Sequence, residues 1–307
     1  MRLSLALPNC MQVPAITQPW EPALSGRQIA DVAVEADRLG FTRVFVPEHF
    51  LTPRPHLGLS GNHYLHASTA QGFFAGATSR IGIGTMLTLL PLHDPVVLAK
   101  AVATLDWLSG GRAQVTFGVG WLREEFDIIG VPFEERGRRA DDYLAAMMAL
   151  WHDEEPSYEG PYVAFTDVAF GPKPVQQPHP RIWMGGDADA VLRRVARFGD
   201  GWAPWLTKPG DLPARLDLLR ASPGYDGRDL DVFYSFAAMN IGAEHVSVDA
   251  IRAEGFDVQL AVDRCAELAG YGVTETWISP PPVSGLDEYL DHLRWVAAEV
   301  APRVADL

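Results

Sequence analysis

The chain is poor in cysteine, in positive charge and in long apolar runs. Two cysteines, Cys10 and Cys265, among 307 residues leave no disulfide framework and suit a reducing compartment. Lys and Arg number 25 against 39 Asp and Glu, and the net charge of −14 argues against nucleic acid or an anionic membrane as partner. The apolar stretch at the N-terminus follows a single Arg and runs into Pro8, too short for the core of a secretion signal. No later run approaches the ~20 apolar residues of a membrane span. A complete dinucleotide fingerprint is also missing, because Gly118-Val119-Gly120 is followed by Arg123 where the third glycine belongs. The first strand lacks the His-x-His of many metal-dependent barrel hydrolases. His49, His56, His63 and His66 are close in sequence but fall in a loop of no defined geometry, and no metal site is expected. What is present is an ordinary globular balance, 48% hydrophobic and 21% charged, and the expectation is a soluble cytoplasmic enzyme.

Short β-branched runs alternate with helical patterns along almost the whole length, which predicts repeated βα units. Leu3 to Leu7 reads as the first strand. Its helix opens at Ser25 with Gln28 completing a capping box, buries Ile29, Val32, Ala33, Ala36 and Leu39, and stops at Gly40. Arg43 to Val46 and Ile81 to Leu89 read as strands two and three. Asp94-Pro95 is a strong helix start, since proline suits the first helical position and aspartate caps it. Ala113 to Val119 is the fourth strand, with a helix from Arg139 to Trp151. The Pro- and Gly-rich stretch 154–180 reads as an inserted hairpin or loop. Arg181 to Met184, Gly201 to Trp205, Asp231 to Phe236 and Thr274 to Ile278 supply four more strands, with helices from Ala188, Asp211, Val258 and Asp287. Eight βα units over 250–300 residues predict one closed (β/α)8 TIM barrel with inserted loops, spanning 1–307 as a single domain.

In such a barrel the chemistry sits at the C-terminal ends of the strands. The positions this rule selects are Asn9 and Cys10, Glu48 and His49, Thr85 to Thr88, Gly118 to Trp121, Gly185 to Asp187, Trp205, Asn240 and Ser279. His49 is the leading catalytic candidate, because imidazole changes charge near neutral pH and can hold or move a proton. A histidine merely satisfying strand-end backbone is the plain alternative. Glu48 beside it acts with it or serves as a structural hydrogen-bonder. Gly185-Gly186-Asp187 stands between a strand and a helix, where bare amides and a missing side chain suit a phosphate, although the Asp187 carboxylate must turn away. Otherwise it is a tight turn capped by Asp187.

Four stretches then carry a resemblance: LGFTRVFVPEHF, SRIGIGTMLTLLPLHDPVVLAKAVATLDWLSGGR, FGVGWLREEFDIIGVPFEERGRRADDYLAAMMALW and PRIWMGGDADAVLRRVARFGDGWAP. In this order they resemble the luciferase-like flavin monooxygenase family across most of residues 1–205. The run around Leu90-Pro91, Pro95 and Ala99-Lys100, with the arginines near 136–139, is most similar to its actinobacterial branch that uses coenzyme F420. The resemblance implies catalytic roles for His49 and Glu48. It implies that Thr85, Met86 and Leu87 support the back of the cofactor ring, often through a non-proline cis peptide. Gly118, Gly120 and Trp121 would wall the pocket, Arg136 would meet the cofactor's acidic portion, and Gly185, Gly186 and Asp187 would bind phosphate. Arg138 and Arg139 could share the role of Arg136, or all three could be a solvated helix start paired with Asp141 and Asp142. Phe50, Tyr64, Trp202, Trp205 and Trp277 are pocket or core. Sugar-phosphate dehydrogenase relatives carry a tryptophan four residues beyond the histidine, where this chain has Pro53, so that substrate class is not expected.

The favoured expectation is hydride transfer between coenzyme F420 and a small organic substrate, in a homodimer. A two-component monooxygenase using reduced FMN and oxygen, fed by a separate reductase, is the alternative. A catalytically silent flavin-binding protein is a third reading, and a metal hydrolase the last.

Overall fold

The computed structural model describes residues 1–235, 239–242, 245–248, 257–278 and 280–307. Eight parallel staves form its centre: β1 Arg2–Ala6, β2 Arg43–Val46, β3 Gly82–Thr85, β4 Gln114–Gly118, β5 Arg181–Gly185, β6 Gly201–Ala203, β7 Asp231–Val232 and β8 Glu275–Trp277. One ladder runs β8-β1-β2-β3 and another β7-β6-β5-β4. Single parallel bridges, Ile83 to Ala113 and Phe233 to Glu275, join the two ladders at both seams. Each stave therefore neighbours the next in chain order, as a TIM barrel requires.

Helices cover the outside: α1 Gly26–Leu39, α2 Ala67–Ala77, α3 Pro95–Ser109, α4 Arg123–Ile129, α5 Arg136–His152, α6 Asp189–Phe198, α7 Leu212–Arg220, α8 Val258–Gly270 and α9 Leu286–Trp295. Local chemistry sets their ends. Ser25 and Gln28 form the reciprocal capping box at α1, and Gly40 closes it in the left-handed conformation at φ 85°. Asp94 accepts from the amides of Val96 and Val97 at the start of α3. Among the described residues no helix is long and apolar enough to cross a membrane. Both cysteines are free and buried.

The structure departs from the sequence expectations in three places. Strand three is not continuous over Ile81 to Leu89: it stops at Thr85 and Thr88–Leu89 resumes beside β4, with the Met86–Leu87 peptide between them cis, as the resemblance implied. Side chains replace ladder partners across this break, with the Thr116 amide donating to the Thr85 hydroxyl and the Leu89 amide to Glu48. Helix α4 was not anticipated, although Glu124 and Glu125 in its first turn and a left-handed Gly130 at its end are ordinary helix signals. Helix α5 begins one turn earlier than expected. The excursion 153–180 carries the short antiparallel hairpin Tyr158–Glu159/Ala164–Phe165. It is pinned by buried Asp106, which accepts from the amides of Val175 and Gln176. The end of the expected seventh strand, Phe236, and Ser279 lie outside the described residues, and Asn240 falls in the antiparallel pair Met239–Gly242/His245–Val248.

Inside the barrel two layers stack. At the base, Arg2, Arg43 and Arg181 converge on Asp231 and Glu275. Asp231 also accepts from the Trp183 indole at 3.0 Å, and Glu275 from the Ser4 hydroxyl at 2.5 Å. Burial alone would raise the Asp231 carboxyl, but Arg181 and Arg2 outweigh it and hold the group below its usual range. Above lie Phe45, Phe233 and Trp277, packed edge-to-face at 5.1–5.9 Å between ring centres, with Trp183 tilted against Phe45 and Phe233 at 5.9 and 5.8 Å. Glycine makes room for them: a Cβ on Gly84 would come within 2.7 Å of the Phe45 ring, and one on Gly201 within 2.5 Å of Trp183. This aromatic layer is the floor of what sits above it.

Candidate active site

A cavity of about 270 Å³ opens at the C-terminal ends of the staves. Phe233 and Trp277 form its base. Its walls come from Met86, Leu87 and Leu89 after β3, from Gly118 to Trp121 at the end of β4, from Gly185 to Asp187 at the end of β5 and from Ala203 to Trp205 at the end of β6. Met11 and Tyr64, paired between the short antiparallel strands Met11–Gln12 and His63–Tyr64, reach in from the rim.

Two histidine–carboxylate pairs meet at the end of β2. His49 Nδ1 lies 2.8 Å from Glu125 Oε2, and the other Glu125 oxygen accepts from the amides of Phe50 at 2.6 Å and Leu51 at 3.3 Å. The Glu125 side chain is 1% exposed. An ionised carboxylate only accepts, so the proton of neutral His49 rests on Nδ1 and Nε2 carries the lone pair. The ring stands edge-on to Tyr64 at 4.9 Å and to Trp121 at 6.1 Å. Tyr64 donates to the Ser60 carbonyl at 2.7 Å, and burial, helped by the Glu125 charge, pushes its hydroxyl well above the usual range. Glu48 points the other way. Its Oε2 accepts from the Leu89 amide at 2.9 Å and sits 2.8 Å from His93 Nε2.

Bare backbone forms much of the wall. At Gly185 a Cβ would lie 2.6 Å from the Leu87 side chain, and at Gly118 it would also collide with Leu87. The Gly186 amide is already spent on the Ala203 carbonyl at 3.0 Å. Asp187 turns its carboxylate onto the next loop, accepting from the amides of Trp205, Leu206 and Thr207 and from the Thr207 hydroxyl.

The structure thus brings together His49, Glu48, Met86, Leu87, Gly118, Gly120, Trp121, Gly185, Gly186 and Asp187 around one cavity. Thr85 stands behind it, bonded to Thr116 and Thr88. Arg136 does not line it: its guanidinium lies 3.8 Å from the Phe133 ring centre and donates to the Phe133 carbonyl. Arg139 pairs with Glu135, while Asp141 is taken by Arg194 and Asp142 by Tyr158, so the pairing expected among these residues is replaced. Trp202 is core, donating to the Gly186 carbonyl, and exposed Phe50 packs on His93. Of the four neighbouring histidines, His56 meets Glu124, His63 the Asn9 carbonyl and His66 Thr69, and among the described residues no metal-holding cluster forms.

Sequence reasoning missed Glu125 and His93. Glu125 was visible only as the second of two glutamates in a presumed loop. A helix assignment for 123–129 would have turned one of them inward.

A parallel barrel with its cavity at the stave C-termini, lined by a histidine and glycine backbone, has the layout of a barrel enzyme. The family model for luciferase-like monooxygenases matches residues 1–245, and the chain belongs to that family. It is 33% identical over 284 residues to an uncharacterized protein of Mycobacterium tuberculosis, covering 87% of this chain and 91% of that one. It is 32% identical over 210 residues to the FMNH2-dependent dimethylsulfone monooxygenase of Pseudomonas putida, covering 67% of this chain and 55% of the relative. In fold it resembles the coenzyme F420-dependent tetrahydromethanopterin reductase of Methanopyrus kandleri, with a TM-score of 0.71 at 19% identity over 99% of each chain.

Proposed function

We propose that the chain is a coenzyme F420-dependent oxidoreductase that passes a hydride between the deazaflavin and a small organic substrate. The observation that carries this reading is His49, its Nδ1 locked by buried Glu125 at the lip of an apolar, glycine-walled cavity. The residues fit a planar ring. Met86 and Leu87 offer an apolar face, and Gly118 and Gly185, having no side chain, leave the space in which Leu87 lies. The phosphate would lie beyond Gly186, toward the start of α6, with the Asp187 charge already engaged by the 205–207 loop.

When bound, the deazaflavin supplies a carbon centre that exchanges hydride and resists oxygen. The protein's share is positioning and proton handling. Trp121 and Tyr64 hold the His49 ring edge-on, Glu125 fixes its tautomer, and Nε2 is left to hold or accept a proton on the reacting oxygen. Glu48, tied to His93 and Leu89, anchors the same strand end from behind.

A two-component FMN-dependent monooxygenase, supplied by a separate reductase, is the second reading, favoured by the 32% identity to the dimethylsulfone monooxygenase. We further take the protein to be cytoplasmic, and a homodimer. Parallel optical titrations of the purified chain with coenzyme F420 and with FMN decide between the cofactors. Tighter binding of F420 supports the first reading, and exclusive binding of FMN replaces it with the second.

A further inference from the structure

We infer that the Trp121 indole is a movable leaf of the cavity wall and that His56, paired with Glu124, is its latch. The inference rests on the proposed function in taking this cavity for the ligand site, while the latch itself can be read with no ligand present.

Two histidine–glutamate pairs flank the indole, and they differ in burial. Glu124 and Glu125 are successive residues in the first turn of α4, three and four places after Trp121. Glu125 fixes His49, and Glu124 Oε1 lies 3.2 Å from His56 Nε2. The Trp121 ring stands edge-on to both imidazoles, 6.1 Å from His49 and 6.0 Å from His56. His49 and Trp121 line the cavity and His56 does not, so His56 meets the indole from behind the wall. The side chains of His49 and Glu125 are 12% and 1% exposed, those of His56 and Glu124 24% and 51%. Breaking a buried pair shifts an equilibrium roughly hundredfold or more, an exposed pair about twofold to fivefold. The outer pair therefore yields first.

The segment that carries His56 is built to lift. Its ends are fastened. Glu125 accepts from the amides of Phe50 and Leu51. On the far side Tyr64 donates to the Ser60 carbonyl, and Met11–Gln12 pairs with His63–Tyr64. Gly61, at φ 66°, packs so tightly there that a Cβ would fall 1.7 Å from the Gln12 carbonyl oxygen. Between these ends none of residues 52–59 is buried. Among the described residues, the one hydrogen bond or ion pair from 52–59 to a distant part of the chain is His56 with Glu124. Glu124 is available to it, because the neighbouring Arg123 pairs with Glu134 at 2.7 Å. Its own backbone amide at the helix start, then His56, hold the Glu124 carboxyl below the usual range.

Unlatching takes one of two flanking rings from Trp121, and the indole swings toward 52–59, widening the cavity on that side. The latch lies outside the cavity and is closed whether or not a ligand is inside. A contact common to both closed states cancels from the affinity and remains in both rates. It slows entry and exit alike.

The test follows binding of coenzyme F420 and of FMN to the full-length chain by stopped flow, in His56→Ala, Glu124→Ala and the double variant. Association and dissociation should rise together by about twofold to fivefold with Kd unchanged. The double variant should be no faster than either single one, because both remove the same contact. Arg54→Ala, an exposed change on the same segment, should leave the rates alone. Fluorine NMR of the chain labelled with 5-fluorotryptophan reads the leaf without ligand. The Trp121 resonance, assigned by its loss in Trp121→Phe, should move in Glu124→Ala as it does in His56→Ala. Unchanged rates, or faster dissociation alone with weakened affinity, overturns the inference, and so does a Trp121 resonance indifferent to Glu124→Ala. If neither cofactor binds while that resonance responds, the proposed function fails and the latch stands. If a cofactor binds and the resonance does not respond, the latch fails alone.

Discussion

Replacing Glu125 by glutamine should reverse the tautomer of His49 while leaving the fold nearly intact. The backbone amides of Phe50 and Leu51 both donate to Oε1, so that position must remain an oxygen. The new amide NH2 then takes the Oε2 position, 2.8 Å from His49 Nδ1, where the carboxylate had accepted a hydrogen bond. A donor there requires a lone pair on Nδ1, which moves the ring proton to Nε2 and turns the cavity-facing nitrogen from acceptor into donor. One exchanged hydrogen bond should cost about 1 kcal/mol, or a few degrees of melting temperature in a domain of this size. Glu125→Ala differs, because it strands three buried donors and should cost of order 3–5 kcal/mol. If neutral His49 accepts a proton during turnover, Glu125→Gln should slow the single-turnover step by about 10²–10⁴-fold with cofactor affinity preserved. Nitrogen NMR of 15N-histidine-labelled protein reads the tautomer directly, without any substrate. An unchanged His49 spectrum in Glu125→Gln, or a normal single-turnover rate beside a reversed tautomer, would refute the reasoning.

Two further outcomes are expected. Gly185→Ala places a methyl 2.6 Å from the Leu87 side chain and should drive that side chain into the cavity. Cofactor affinity by equilibrium dialysis should drop roughly tenfold or more while melting changes little, and unaltered affinity would put the ligand elsewhere. Burial pushes His292, stacked on Trp295, down from 6.5 to about 4, so the fold favours its neutral form. Stability from this group is therefore complete above pH 6.5 and is lost as the pH falls toward 4, by about 2 kcal/mol at pH 5. His292→Gln should flatten the melting profile between these values, and parallel profiles for the two proteins would assign the acid sensitivity to other groups.

The barrel was legible in the sequence because its signals are local. Ser25 with Gln28, Asp94 with Pro95, and the glycines that close α1 and α3 each fix an element end within a few residues. Short buried strands between such ends leave little choice of architecture. The neighbourhood of His49 was legible for the same reason, since stave ends can be counted. What could not be read were partners chosen across space. Glu125 is 76 residues from His49, and His93 is 45 from Glu48. Nothing in the composition of either segment announces the pairing. The arginines near 136–139 looked available to an anion because their sequence shows charge and not the aromatic ring of Phe133 or the carboxylate of Glu135 that occupies them.

The ionic base of the barrel divides labour along its axis. Arg2, Arg43 and Arg181 fasten β1, β2 and β5 to Asp231 on β7 and Glu275 on β8, so staves far apart in the chain are tied beneath the aromatic floor. Register is settled there, out of reach of any ligand. The rim shares none of these ties, so replacing a cavity-lining side chain there leaves the base untouched. Under the proposed function, exchange of mouth residues such as Met11 or Trp205 would change what is bound. A change at Asp231 would be sorted by whether the chain folds at all. The ties that hold the staves and the cavity that would hold a ligand thus occupy opposite ends of one barrel.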